Sequence, residues 1–238
     1  MPSSIVYNVL EACREAGCPI CRLEQKSVER YLDQHFYESV NSPRWRDRLR
    51  ASLGFCREHA WLGADQRLGD ALGYSIIYRD ILNSILNQLE EGTSTALPPR
   101  QKRSWLRQVP EVVQTMIEKA LNAFTPRKRC PVCEHREETT RTTLTVLLAE
   151  MNTPEMTNAL RTSEGLCLPH LRQALEQVKD VAACETILTL HREKLKNLKA
   201  ELEEFIRKND YQAIHEGFGR EGDAWLRAIA SVVGRRGS

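Results

Sequence analysis

Cys18-Pro19-Ile20-Cys21 is followed downstream by Cys56-Arg57-Glu58-His59, and Cys130-Pro131-Val132-Cys133 is followed in the same way by Cys167-Leu168-Pro169-His170. Each half of the chain therefore offers three thiols and one imidazole in two close pairs. That is the ligand set and the pairing of a closed, four-coordinate metal site. A core of unliganded thiols has no reason to repeat such pairs, so the doubled pattern constrains the fold more than any other feature of the sequence.

The correspondence extends past the ligands. Asn41-Ser42-Pro43 matches Asn152-Thr153-Pro154, and Leu49, Arg50, Ser52, Gly54, Cys56 and His59 fall without a gap on Leu160, Arg161, Ser163, Gly165, Cys167 and His170. One insertion aligns the Cys-Pro-x-Cys motifs, and two more lay Arg79, Leu82, Leu89, Glu90 and Glu91 on Arg192, Leu195, Leu202, Glu203 and Glu204. The chain reads as an internal duplication. Two units are too few for a solenoid, so two tandem lobes are expected, each closing its own Cys3His site.

Local signals are helical nearly throughout. Ser3 or Ser4 can cap a first helix carrying Ile5, Val9, Leu10 and Cys13, with Gly17 as its stop. Cys18 then stands as an N-cap with Pro19 in the first turn, where the missing amide proton costs nothing. Val28, Leu32, Phe36 and Val40 form the apolar stripe of the next helix, with Tyr31 beside it, until Asn41-Ser42-Pro43 breaks it. Cys56 and His59, one turn apart at another helix start, can face one point. Thiolates at helix N-termini are favoured by the exposed backbone amides there. Long apolar-periodic stretches from Gly73 to Leu89 and from Val181 to Leu202 supply packing surfaces, and no run alternates over a convincing strand length. The fold class is all-α.

The boundaries expected are a first metal-binding lobe over 1–91, a linker over 92–110, a second lobe over 111–209 and a C-terminal turn and helix over 210–238. Gly92 to Pro99 has linker composition, and a helix from Glu111 to Phe124 mirrors the one that opens the chain. Arg100, Lys102, Arg103 and Arg107 surround Trp105, a cluster that suits phosphate or nucleic acid. A solvated linker with a docked tryptophan explains it more simply, because the charge is not sustained along a face. In the tail, Asp223 is expected to cap a last helix that buries Trp225, Ile229 and Val232. A polar site of Asp210, His215, Glu216 and Glu221 is the competing reading.

Composition excludes several classes. A net charge of +2 announces neither nucleic acid nor an anionic membrane. No stretch has the length and apolarity of a bilayer span, and residues 1–17 lack the basic start and apolar middle of an export signal. A cytoplasmic protein with reduced thiols is expected. The partner is unknown from sequence, with no membrane, nucleic acid not favoured and a homo-oligomer left open.

Zinc suits three thiolates and a neutral imidazole, and two ions per chain are expected at Cys18, Cys21, Cys56, His59, Cys130, Cys133, Cys167 and His170. An iron–sulfur cluster on the same ligands is the alternative. Attached haem is excluded, because Arg22 and Glu134 stand where a histidine would follow each Cys-x-x-Cys. A thiol oxidoreductase is disfavoured by the absence of a βαβ pattern. Cys13 and Cys184 lie outside the motifs on apolar helical faces and read as core. The function expected is a zinc-stabilised, non-enzymatic binding or scaffold protein. Its alternatives are an iron–sulfur redox or sensor protein and an enzyme with a pocket between the lobes, using Arg50 with Arg161 or Arg79 with Asp80.

Cys-Pro-Ile-Cys, Asn41-Ser42-Pro43, Gly54-Phe55-Cys56-Arg57-Glu58-His59-Ala60-Trp61, Gly69-Asp70-Ala71-Leu72-Gly73 and Tyr78-Arg79-Asp80 resemble an uncharacterised bacterial family, domain of unknown function sixty-sixty-two. The tail around Glu221 and Trp225 extends the resemblance over nearly the whole chain. It brings no activity to transfer. The second half departs at Leu168-Pro169 and lacks the Gly-Asp-Ala-Leu-Gly segment, which implies that the two sites differ in exposure or role.

Overall fold

The protein is described here from a computed structural model, which covers residues 4–93, 111–211 and 213–234. Most of the expected linker, with Arg100, Lys102, Arg103, Trp105 and Arg107, lies outside the described residues. Within them the chain is all-helical and has no strand. The first half contributes α1 (Ser4–Cys13), α2 (Pro19–Glu38), α3 (Pro43–Ala51), α4 (Arg57–Asp65) and α5 (Ala71–Thr93). The second contributes α6 (Glu111–Phe124), α7 (Pro131–Ala149), α8 (Pro154–Thr162), α9 (Leu168–Gln177), α10 (Val181–Lys208) and the terminal α11 (Ala224–Val233). No described helix is long and apolar enough to cross a membrane.

The helix starts follow the local chemistry. Pro43 and Pro154 occupy first-turn positions of α3 and α8, where no amide proton is needed. Thr153 accepts from the Met156 amide, and Asp180 accepts from the Ala183 amide at 2.8 Å, each satisfying one orphan donor. Asp70 does the same for Gly73 at the head of α5.

The chain divides into two compact units, one built from residues up to 28 and from 136 onward, the other from 29–135. The division falls inside α2 and inside α7, so each of these helices contributes its first turns to one unit and its remainder to the other. The first unit buries Val9, Ile20, Leu144, Leu147, Met151, Met156, Leu160 and Ile187, with α1 against α8 and α11 against α9 and α10. Each such side chain contributes about 1.5–3 kcal/mol relative to exposure. The second unit has α3 and α6 against α5 and an aromatic core. Its Phe36 and Tyr74 rings stack at 4.0 Å, with Phe55 and Trp45 close by. The expected stripe of Val28, Leu32, Phe36 and Val40 is buried along its whole length.

The last helix differs from expectation. Trp225, Ile229 and Val232 are about half exposed, and the side turned inward carries Ala224 and Arg227. Arg227 pairs there with Glu201 of α10, a charged partner that the spacing of apolar residues could not reveal. Asp223 makes no side-chain cap; its carboxylate receives Arg227 Nε at 2.8 Å. The acidic residues of the tail are likewise distributed rather than gathered. Glu216 pairs with Arg207, while Glu221 takes Lys208 at 2.7 Å and the Gly219 amide at 2.8 Å.

Candidate metal centres

All four ligand pairs open a helix. The carbonyls of Cys18, Cys56, Cys130 and Cys167 accept the first intrahelical bonds, from the amides of Arg22, Ala60, Glu134 and Leu171 at 2.8–3.2 Å. Each of these cysteines is therefore an N-cap, and the second ligand of its pair sits three residues on, at the same side of the first turn.

Two clusters result. Cys18, Cys21, Cys167 and His170 meet in the first unit, and Cys56, His59, Cys130 and Cys133 meet in the second. In each, all four donor atoms lie within 4.8 Å of one another. His170 Nδ1 is 3.1 Å from Cys167 Sγ, 3.4 Å from Cys21 Sγ and 3.5 Å from Cys18 Sγ, and the Cys21 and Cys167 sulfurs are 3.7 Å apart. His59 Nδ1 is 3.1 Å from Cys56 Sγ, 3.4 Å from Cys133 Sγ and 3.8 Å from Cys130 Sγ, with the Cys56 and Cys133 sulfurs at 3.7 Å.

Two clusters with the expected ligand types thus form, one per unit, but their partnership corrects the expectation. Neither half closes its own site: the Cys-Pro-x-Cys of each half meets the Cys-x-x-His of the other. Helix lengths give the reason. The α2 helix runs 20 residues from Pro19, roughly 30 Å, whereas the 9 residues of α3 return roughly 14 Å. The loop after α3 does not extend to make up the difference, since it turns tightly with the Gly54 amide on the Leu49 carbonyl at 2.7 Å, and Cys56 meets Cys130 and Cys133 instead. The 19 residues of α7 and the 9 of α8 impose the same mismatch on Cys130 and Cys167.

The surroundings of the two clusters differ. In the first, His170 Nε2 donates to Glu24 Oε1 at 3.1 Å, and the buried Glu24 carboxylate also receives the Thr140 hydroxyl. A carboxylate on the outer nitrogen fixes which ring nitrogen faces the thiols. Sequence reasoning did not single out Glu24; its signal is a carboxylate one turn past Cys21. The residue one turn past Cys133 is Arg136.

The loop entering Cys167 is braced as well. The Leu166 amide donates to His191 Nε2 at 2.8 Å, while His191 Nδ1 donates to the Ile187 carbonyl at 2.7 Å, and burial pulls the His191 pKa down, favouring this neutral ring. Lys194 Nζ donates to the Arg161 carbonyl at 2.9 Å and to the Ser163 carbonyl. At the corresponding loop before Cys56, Tyr78 and Ile81 pack over Gly54. Asp80 is held by Arg50 at 2.5 Å, so the pairing of Arg79 with Asp80 does not form.

Burial separates the clusters further. Cys18, Cys21, Cys167 and His170 are all buried, whereas Cys56 and Cys133 are partly exposed. A pocket of about 500 Å³ beside the first cluster is walled by Glu24, Thr140, Arg141 and Gln173, and also by Cys21 and Cys167, which expose 0% and 1% of their surface. Cys13 is buried and Cys184 half-buried, and both stand outside the clusters.

Burial, with the Cys167 and Cys21 thiols alongside, pushes the Cys18 thiol well above its ordinary value, and burial also raises Cys130. Burial opposes a charge on His170, but the thiols of Cys18 and Cys21 and the Glu24 carboxyl outweigh it and lift the imidazole to about 12. A cation entering the site must displace the protons on these groups.

The sequence model of a family of unknown function (DUF6062) matches residues 6–237. A relative from Caldicellulosiruptor sp. (strain Rt8B.4), described as "Uncharacterized 23.9 kDa protein in xynA 3'region", is 27% identical over 229 residues, covering 95% of this chain and 99% of its own. No solved structure matches the chain.

Proposed function

From the premise that the chain belongs to the family of unknown function DUF6062, we propose that it is a zinc-stabilised helical binding or scaffold protein, with one structural ion in each unit. The observation that carries this reading is the spacing of the donor atoms. Zinc–sulfur bonds of about 2.3 Å at tetrahedral angles place two thiolates about 3.8 Å apart, and a zinc–nitrogen bond of about 2.0 Å places a thiolate about 3.5 Å from the imidazole. The sulfur–sulfur separations of 3.7 Å and the sulfur–nitrogen separations of 3.1–3.8 Å match a single tetrahedral ion in both clusters. In an iron–sulfur cluster the four protein ligands are divided among two or more irons, so they do not all share one tetrahedral shell. Four protein donors also close the coordination shell, leaving no position for a substrate or an activated water, which supports a structural role over a catalytic one.

The crossed ligand pairs fit a duplicated chain whose halves have exchanged their Cys-Pro-x-Cys segments. Gly54 and Gly165 support the duplication: both have positive φ, and they are covered from Tyr78 with Ile81 and from His191 with Lys194, positions that correspond in the two halves. Reduced thiolate sites support a cytoplasmic setting.

Metal analysis with an absorption spectrum on anaerobically purified protein tests the reading. Two zinc ions per chain and a colourless solution are expected. Iron with visible charge-transfer absorption overturns zinc in favour of an iron centre, and protein that carries neither metal overturns the metal reading itself.

A further inference from the structure

We propose that the Cys56–His59–Cys130–Cys133 centre is a peroxide-sensitive thiolate site, at which oxidation joins Cys56 to Cys133 and frees the ion while the other centre persists. The proposal rests on the zinc reading above and adds a modification site to one of its two centres.

Exposure separates the centres, and two further observations bear on the chemistry. Cys56 and Cys133 are partly exposed, whereas every thiol of the first centre is buried, so a small polar oxidant reaches only the second directly. The sulfurs of these two partly exposed cysteines are also neighbours, 3.7 Å apart, so the sulfur attacked first has a resolving partner in reach. Finally, the imidazole of the first centre carries the buried Glu24 carboxylate on its outer nitrogen. Outer partners of this kind typically change metal retention 10–100-fold when removed.

The chemistry closes with a hydroperoxide as the only co-reactant. The thiolate of Cys56 or Cys133 attacks one peroxide oxygen, the O–O bond breaks, and hydroxide leaves a sulfenic acid on sulfur. The second thiolate attacks that sulfur, the S–S bond forms, and a second hydroxide departs. Two electrons pass from the thiolates to the peroxide, and both hydroxides take protons from solvent. His59 and Cys130 remain as two donors, too few to retain zinc. The ligands lost come from α4 and α7, so oxidation releases the clamp of the 29–135 unit.

The test is stepwise addition of hydrogen peroxide to the zinc-loaded full chain. Released zinc is followed with a chromophoric chelator, and disulfides are mapped by mass spectrometry under non-reducing conditions. One ion per chain is expected to leave in a first phase at least about tenfold faster than the second, with a Cys56–Cys133 disulfide formed in step. Dithiothreitol and zinc are expected to restore the starting state. In Glu24→Gln the second phase is expected to quicken about tenfold while the first is unchanged. Release of both ions in one phase, or first disulfides among Cys18, Cys21 and Cys167, overturns the proposal while leaving zinc in place. Absence of zinc from the starting protein instead refutes the reading on which the proposal rests.

Discussion

Two glycines show what the loops before the ligands demand of single residues. Gly17, just ahead of Cys18, has φ +88°, and a Cβ there would meet nothing within 4 Å. Gly165, two residues ahead of Cys167, has φ +83°, but a Cβ would stand 2.7 Å from Lys194 Cδ and 3.3 Å from His191 Nε2. Gly17→Ala therefore meets only the left-handed backbone cost, about 1 kcal/mol. Gly165→Ala adds displacement of a lysine whose ammonium holds two loop carbonyls, at about 1 kcal/mol for each hydrogen bond lost. Urea unfolding of the zinc-loaded variants is expected to show about 1 kcal/mol lost for Gly17→Ala and about 3 kcal/mol for Gly165→Ala. Equal losses would mean that Lys194 does not brace the loop. Gly17 and Gly165 can be recognised from sequence as turn residues, but the lysine over one of them cannot, because Lys194 arrives from a helix that begins after the ligands.

At the scale of elements, apolar periodicity locates helices reliably here and orients them less reliably. The α2 stripe is buried as its spacing requires, because α2 has neighbours to cover it. The α11 stripe is just as regular, yet Ile229 is 53% exposed while Arg227 points inward to Glu201. Periodicity finds a face; only the partner decides which face is inside, and Glu201 lies on another helix. Replacing Ile229 by Ser is accordingly expected to change stability by no more than about 0.5 kcal/mol, as at an ordinary surface site. Arg227→Ala, which leaves the partly buried Glu201 only the exposed Arg220 at 3.5 Å, is expected to cost about 1.5–3 kcal/mol. Thermal unfolding of the two variants decides the matter, and a larger loss for Ile229→Ser would restore the buried stripe that the sequence suggests. The ligand partnership carries a similar lesson. The types and positions of the eight ligands are legible in the motifs, and so was the length of α2, from Pro19 to the break at Asn41. That length, set against the shorter α3, leaves a gap between Cys18 and Cys56 that only an extended loop could close, and the tight turn at Gly54 that decides against it is not written in the motif spacing.

For the whole molecule, each cluster joins a helix start from one half of the chain to a helix start from the other, so metal binding and long-range folding are one equilibrium. That equilibrium is tied to pH through the ligand protons. Burial raises the Cys18 thiol, and the thiol and carboxyl neighbours of His170 outweigh burial to raise its imidazole. If the cluster is preformed, entry of zinc displaces the protons held on Cys18, Cys167 and His170, at least three throughout the neutral range. If the metal-free chain unfolds instead, its imidazole titrates near 6.5 and its thiols near 8.5, so at pH 7.5 about three protons leave per ion. Protons compete with the cation in both cases, and stability conferred by zinc is lost as pH falls. Because the proposed ions clamp segments from opposite halves, the unfolded reference is the expected one, with log affinity rising by about three per pH unit near pH 7.5. Zinc competition titrations between pH 7 and 8 measure that slope directly. A slope of one or less removes the thiols from the ligand set.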